Sequence, residues 1–189
     1  MKLIKNLFLM TLILCSTAQA AVVSHWVIDP KQSSISFTGT QNNAPVTGVF
    51  KSFTGTIYAD PAQYQESNID IVINMDSVSV TYAELATILI TPEWFNVKAF
   101  PTAEFKSSKF NKINDKTYEA IGVLTIKDKS VPTTLTFAAT EPSKDHLAVE
   151  GHTILKRSAF NVGIGEWAST DVVKDEVTVN FKIVASRKA

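Results

Sequence analysis

Regular alternation of apolar and polar side chains is the feature of this 189-residue sequence that most restricts its fold. From Ile69 to Asp76, isoleucine or methionine stands at every second position. Successive side chains of a strand point to opposite faces, so this spacing predicts a strand with one buried face. The same period of two recurs in the segments 35–39, 118–126, 131–139, 147–155 and 177–183.

Turn-forming residues separate these segments. Pro30 and Pro61 each follow an aspartate and cannot continue a central strand, because proline lacks the N–H that a ladder needs. The polar link 127–130 has the length of a hairpin loop. With segments 26–28 and 46–59 added, the chain has about eight strands, mostly joined by short links. This organisation predicts an all-β domain, either an antiparallel barrel or a sandwich.

One segment interrupts the β pattern. Residues 82–90 are mostly helix formers, and helical spacing places Leu85, Ile88 and Leu89 on one face. We expect a short helical lid at one end of the barrel. Such a lid either completes an ordinary core or also lines a ligand cavity, and the sequence leaves both interpretations open.

The first twenty residues have the pattern of a secretory signal peptide. Lys2 and Lys5 precede the apolar segment 7–14, and small residues lead to an Ala-x-Ala site at Ala20. We therefore expect cleavage of residues 1–20, leaving residues 21–189 as one domain. The sole cysteine, Cys15, would be removed with the leader, so disulfides are not expected in the mature protein.

The charge and motif content exclude several classes of function. Removing the leader leaves 16 basic against 18 acidic residues, a balance that argues against a nucleic-acid partner. No Gly-x-Ser-x-Gly motif is present, and Gly163-Ile164-Gly165 lacks the third glycine of a dinucleotide site. The three histidines lack the close spacing of zinc ligands. We predict no catalytic residue, no metal and no enzyme activity.

The order of local motifs resembles the YceI-like family of exported polyisoprenoid-binding proteins. The match runs from Trp26 to Ser186 and is most specific at 155–163, Leu-Lys-Arg-Ser-Ala-Phe-Asn-Val-Gly. Other matching segments are Trp-Val-Ile-Asp-Pro at 26–30, Val-Thr-Gly-Val-Phe at 46–50, Trp-Phe-Asn-Val at 94–97, Phe-Pro-Thr-Ala-Glu-Phe at 100–105 and Gly-Val-Leu-Thr-Ile at 122–126.

This resemblance implies a lipocalin-like antiparallel β-barrel whose cavity holds an isoprenoid lipid of the quinone or polyprenyl phosphate type. The protein would then be a periplasmic carrier, a monomer or homodimer, with no cofactor other than that lipid. Burying each methylene is worth about 0.8 kcal/mol, so such a tail crosses water only inside an apolar container.

Under this binding hypothesis, the strand alternation and the lid segment suggest a set of ligand-binding residues. Apolar positions expected to face inward would line the tail site, the lid would close one end, and Arg157 would contact the head group, because guanidinium pairs well with phosphate or carbonyl oxygen. A surface position at a strand end is the alternative for Arg157. The set is Phe37, Phe50, Ile57, Ile71, Ile73, Leu85, Leu89, Trp94, Phe95, Leu124, Phe137, Ile154 and Arg157.

A second hypothesis is a role in protein interaction. The sequence Gly165-Glu166-Trp167 resembles the branch of the family found beside or fused to cytochrome b561-type membrane proteins. The chain would then be a non-catalytic accessory of a membrane b-type cytochrome or of a stress response, without stoichiometric lipid. Separately, Gln32 and the segment 41–45 depart from the histidine-containing patterns of many members, near the expected mouth.

Overall fold

The structure is a computed structural model that describes residues 23–139, 143 and 145–188. The predicted signal peptide, residues 1–20, lies outside the described residues. No helix within the described part of the chain has the length and apolar content needed to span a membrane.

Eleven strands and one α-helix make up the described chain, with short 3₁₀ turns between them. The helix α1 is Ala83–Leu89, inside the predicted helical segment. The strands are β1 (His25–Ile28), β2 (Ser34–Gln41), β3 (Ala44–Phe50), β4 (Phe53–Tyr58), β5 (Asn68–Asn74), β6 (Val78–Val80), β7 (Thr102–Lys112), β8 (Thr117–Ile126), β9 (Lys129–Ala139), β10 (His146–Lys156) and β11 (Glu176–Arg187).

Eight of these strands close into an antiparallel barrel. Around the ring the order is β1, β4, β5, β7, β8, β9, β10 and β11, and β11 pairs back to β1. The closing ladder joins the two ends of the described chain, with Trp26 opposite Arg187 and Ile28 opposite Ala185. The prediction of an eight-stranded antiparallel barrel is confirmed, and the sandwich alternative is wrong.

The other three strands extend one wall of the barrel. The long strand β11 pairs with β1 near its end and with β2 along Thr178–Lys182, so β1 and β2 follow each other along the same edge. β2 continues through β3 to the short strand β6. The helix α1 follows β6 and packs against it. We call the end of the barrel formed by α1, residues 90–101 and residues 157–175 the capped end.

The predicted alternation correctly identified the inner face of the barrel. The odd-numbered apolar residues of segments 35–39, 69–75, 147–155 and 177–183 line the interior. The strands β9 and β10 pair over only four residues each, Thr136–Ala139 and Val149–His152, so the barrel wall has a gap beside this pairing. Beyond it the 3₁₀ turn Arg157–Phe160 contacts β9 and, with β9 and the end of β10, lines a side pocket.

Candidate ligand-binding cavity

The barrel encloses an elongated cavity of about 270 Å³. Thirty-nine of the described residues line this cavity, from Ala59 and Leu147 at one end to Leu85 and Trp167 at the capped end. Apart from two tryptophans, five of them carry a polar or charged side chain, namely Thr40, Gln41, Thr153, Arg157 and Lys174. All five lie toward the capped end, because β2 and β10 end there and β11 begins there.

The part of the cavity away from the capped end is apolar, and we call it the tail section. Its inner surface is built by the isoleucines and valines of β5, β10 and β11 and by the phenylalanines of β2, β7 and β9. β-Branched and aromatic residues suit a pleated, half-buried surface, so the same side chains that favour strands also form the lining. Phe110 stands edge-on to Phe137 at 6.3 Å, and this contact keeps two of the rings packed.

The structure brings eleven of the thirteen predicted ligand-binding residues together on the apolar lining. Those on strands belong to six different strands, and those of the expected lid come from α1 and the turn after it. Contact between a ligand and these side chains stays a prediction. The eleven are Phe37, Phe50, Ile57, Ile71, Ile73, Leu85, Leu89, Trp94, Phe95, Leu124 and Phe137.

Ile154 is not part of the lining, and its assignment was wrong. Its side chain is 60% exposed on the outer face of β10, while its neighbours Thr153 and Leu155 face the cavity. Alternate side chains of a strand point to opposite faces, so two neighbours of Ile154 cannot share its direction. The pattern of segment 147–155 already contained this information.

Arg157 is buried at the capped end, not at a surface strand end, and its guanidinium is fully occupied by the protein. Each of its three nitrogens donates to backbone carbonyls of the loop that follows, with Nη1 to Gly163 O at 2.7 Å as the shortest contact. The acceptors are the carbonyl oxygens of Val162, Gly163, Trp167, Ser169, Val173 and Lys174. Burial lowers the pKa of Arg157, and the charge of Asp175 opposes that shift.

The predicted head-group role of Arg157 is therefore wrong for a physical reason. An arginine has five N–H donors in a fixed fork. Six carbonyl contacts use that donor set, so no N–H of Arg157 is left for a ligand. These contacts fix the conformation of the loop 157–175.

Four polar residues of the lining, Thr40, Gln41, Thr153 and Lys174, were not among the predicted ligand-binding residues, although the segment 41–45 was expected near the mouth. Lys174 is exposed, and its backbone N–H donates to Thr40 O at 2.9 Å. Gln41 is bridged to Val173 across the same seam. Gln41 continues the odd-numbered inward series of β2, so its direction could have been read from the alternation. The position of Lys174 depends on the fold of a loop, which leaves no periodic signal.

Two aromatic groups occupy the capped end. The rings of Trp94 and Trp167 lie 5.7 Å apart, and Phe50 lies 5.6 Å from Phe37 and 6.0 Å from Phe95. Trp94 is buried, and its indole N–H is without a hydrogen-bond acceptor among the described residues. The lining at this end is therefore aromatic with isolated polar atoms.

Hydrogen bonds to backbone carbonyls join the separate segments of the cap. The N–H groups of Gly163 and Ile164 both donate to Glu93 O, at 2.8 and 2.9 Å. Lys127, at the tip of the β8–β9 hairpin, donates from Nζ to Asn161 O at 2.7 Å and to Pro92 O at 3.3 Å. Burial lowers the pKa of Lys127, against the opposing charges of Asp128 and Glu93. These bonds hold the turn that carries Trp94 in place.

Comparison with proteins of known structure finds the same fold. BcnA of Burkholderia cenocepacia superposes with a TM-score of 0.80 at 32% identity, over 83% of this chain and 98% of that chain. A polyisoprenoid binding domain from Saccharophagus degradans, implicated in plant cell wall breakdown, superposes with a TM-score of 0.70 at 12% identity. This second match covers 88% of this chain and 99% of that chain.

Comparison of sequences identifies the family. Protein YceI of Salmonella newport is 32% identical over 136 residues, which cover 69% of this chain and 70% of the relative. The family model described as the YceI-like domain matches residues 26–185, which include all but the first residue of β1 and the last two of β11. The chain belongs to the YceI-like family.

Proposed function

We propose that this protein is a binding protein that holds an isoprenoid lipid, of the quinone or polyprenyl phosphate type, inside its barrel. One observation carries the proposal, a cavity of about 270 Å³ whose lining is apolar except toward the capped end. That distribution suits a molecule with a long hydrocarbon tail and a small polar end. The Saccharophagus degradans neighbour, a polyisoprenoid binding domain, supports the same conclusion.

The proposal describes binding without catalysis. The usual general acids and bases of enzymes are histidine and carboxylate side chains. Neither occurs among the described residues that line the cavity. The described chain also contains no group of three or more histidine, cysteine or acidic residues that could hold a metal ion.

The proposal also places the protein in the periplasm, on the basis of the predicted leader at residues 1–20. An exported carrier would meet lipid tails that must cross an aqueous compartment between membranes. The mass of the intact protein purified from its own host tests this directly. A chain beginning at Ala21 in the periplasmic fraction supports the placement, and a full-length chain in the cytoplasm contradicts it.

Binding is tested by native mass spectrometry of protein purified without detergent, followed by solvent extraction. We expect an additional mass that extraction releases as a prenylated quinone or a polyprenyl phosphate. A bare protein that also fails to bind added ubiquinone contradicts the proposal. That outcome favours the accessory role beside a membrane cytochrome.

Two neighbouring residues of β10 provide a matched pair of variants. Leu155 faces the cavity and Ile154 faces solvent, so Leu155→Glu places a charge in the tail section and Ile154→Glu does not. Burying an unpaired charge is costly, so we expect Leu155→Glu to weaken lipid binding by at least tenfold and Ile154→Glu by less than twofold. If Leu155→Glu fails to fold, Leu155→Trp fills the same space without a charge. Equal affinities for folded variants of both positions would contradict the tail site.

A further inference from the structure

Trp94 contains a buried hydrogen-bond donor that the protein does not use. Its side chain is 8% exposed and lines the cavity at the capped end. The indole Nε1–H is shielded from solvent and meets no acceptor in the described part of the chain. Buried N–H groups are nearly always paired, because an unpaired donor loses its bond to water and gains nothing in return.

Trp26 shows what this fold does with an indole that has only a structural role. Trp26 is buried at the barrel seam, away from the cavity lining, and its Nε1–H donates to Ala59 O at 2.8 Å. The two tryptophans are similarly buried, yet only the one that lines the cavity lacks a partner. The unpaired donor is thus associated with the ligand site.

Trp94 lies beside Trp167 and beside the loop whose carbonyls bind Arg157. Its ring is next to Trp167, and Gly163 lies against its edge. The carbonyls of Gly163 and Trp167 are both engaged by the guanidinium of Arg157, at 2.7 and 2.8 Å. Arg157 therefore binds carbonyls of the loop that contacts Trp94.

The chemistry of the site restricts what can bind this donor. An indole N–H only donates, so its partner must be an acceptor. A buried anion would need a neighbouring cation with free N–H donors, and the N–H groups of Arg157 are already bound to carbonyls. Lys174, the lining residue that carries an amine, is exposed to solvent at the capped end. A neutral oxygen is consequently the group that this position accommodates.

We propose that the Trp94 Nε1–H anchors the ligand by donating to a neutral acceptor oxygen, such as a carbonyl, held inside the capped end. The inference rests on the proposed lipid-binding function and specifies its polar contact. Trp94 would select a ligand with an oxygen at its polar end, and the apolar part of the cavity would accept the hydrocarbon tail.

The test compares two probes that differ in oxygen. A short-chain ubiquinone carries carbonyl oxygens, and squalene is an isoprenoid hydrocarbon without oxygen. Trp94→Phe removes the N–H and keeps an aromatic ring. We expect this variant to bind the ubiquinone roughly tenfold more weakly, because it loses one hydrogen bond to a buried group, and to bind squalene within twofold of the wild type. Equal weakening for both probes overturns the inference.

Trp167→Phe is the matched control, since it removes a second indole from the same ring pair. We expect it to affect both probes equally. A selective loss of ubiquinone binding in this variant, with none in Trp94→Phe, would assign the anchor to Trp167 and overturn the proposal.

Nitrogen-15 NMR gives a readout that packing alone does not produce. The Trp94 indole resonance, identified by its absence from Trp94→Phe, should move downfield on adding ubiquinone and move much less on adding squalene. Bound ubiquinone with an unmoved Trp94 resonance overturns the inference. So does a polyprenyl phosphate that binds more tightly than ubiquinone and is weakened by Lys174→Gln.

Failure of the inference is distinguishable from failure of the proposed function. Wild-type protein that binds neither ubiquinone nor squalene nor a polyprenyl phosphate contradicts lipid binding itself. Wild-type protein that binds both oxygen-containing and oxygen-free tails, with no selective effect of Trp94→Phe, keeps lipid binding and removes the anchor.

Discussion

At the scale of single residues, Arg157 shows how a correctly noticed side chain can be given the wrong partner. Its chemical suitability for phosphate or carbonyl oxygen was visible in the sequence, and it does bind carbonyl oxygens. They belong to its own loop, between Val162 and Lys174. Which carbonyls come within reach depends on the path of an irregular loop, and no periodic pattern encodes that path.

We expect the exchange of Arg157 for lysine to destabilise the protein. Lysine keeps the charge but lacks the planar fork, so several of the six carbonyls lose their donor while the charge stays buried. The free energy of unfolding should fall by about 3 kcal/mol or more. Urea unfolding of the ligand-free protein measures this. Lys156→Arg, which keeps the charge at an exposed neighbouring position, is the control and should change stability by about 0.5 kcal/mol or less.

The carboxyl group of Asp175, in the same loop, should make the folding stability depend on pH. Burial alone would raise its pKa, but the hydrogen bonds from Ser158 and the charges of Arg157 and Lys156 leave the pKa below its ordinary value. A carboxyl with a lowered folded-state pKa stabilises the protein above its unfolded pKa of about 3.9, and this stabilisation is lost as pH falls through the folded value. Asp175→Asn keeps an oxygen for the Ser158 N–H and removes the charge.

The measurement for Asp175 is the unfolding midpoint in urea as a function of pH. We expect Asp175→Asn to be less stable than the wild type at neutral pH and to lose less stability on acidification below about pH 4. Parallel acid limbs for the two proteins would show that Asp175 does not contribute to acid sensitivity.

At the scale of elements, the regular strands were predictable and the irregular cap was not. Alternation located β5, β8 and β11 and identified their inward sides, since a period of two is a property of any strand with one buried face. Helical spacing located α1. The loop 157–175 has no period, because its conformation is set by Arg157 and by two glycines with positive φ, Gly163 and Gly165. Its motif was visible in the sequence, while its geometry was not.

The two glycines of this loop give a matched prediction. Both have φ near +70°, where a side chain is strained. A Cβ on Gly163 would lie 2.5 Å from Arg157 Nη1, whereas a Cβ on Gly165 would meet nothing within 4 Å. Gly165→Ala should therefore cost about 1 kcal/mol from backbone strain alone. Gly163→Ala should cost clearly more, because it also displaces the guanidinium.

Thermal and urea unfolding of both glycine variants measures the difference. Gly163→Ala is also expected to weaken lipid binding, since the edge of Trp94 lies 3.3 Å from the added Cβ. Equal destabilisation by the two variants would mean that Arg157 moves aside at no cost, contrary to its six carbonyl contacts.

At the scale of the whole molecule, the sequence left a barrel and a sandwich equally open. Both architectures place alternate side chains in one interior, so the strand pattern is the same for each. The distinction depends on the pairing of β1 with β11, two segments near opposite ends of the described chain. Pairing between distant segments leaves no local signal, and only the resemblance to a family indicated closure before the structure did.

Closure of the barrel depends on Trp26, because β1 has only four residues and little other buried surface. Trp26 is 3% exposed, donates to Ala59 O at 2.8 Å and lies under the Arg187 guanidinium at 5.4 Å. Trp26→Ala should lower the free energy of unfolding by about 3–5 kcal/mol. Val27→Ala, at a position 47% exposed in the same strand, should change it by about 0.5 kcal/mol or less.

Amide hydrogen exchange shows whether the Trp26 effect is local to the seam. If β1 closes the barrel, Trp26→Ala should lose protection first at β1 and at Ala185–Arg187, while the β8–β9 hairpin stays protected, since local opening requires less free energy than global unfolding. An open seam joins the tail section to water, so this variant should also release bound lipid faster than Val27→Ala does. Uniform loss of protection in all strands would instead mean that the barrel unfolds as one unit and that the seam cannot open alone.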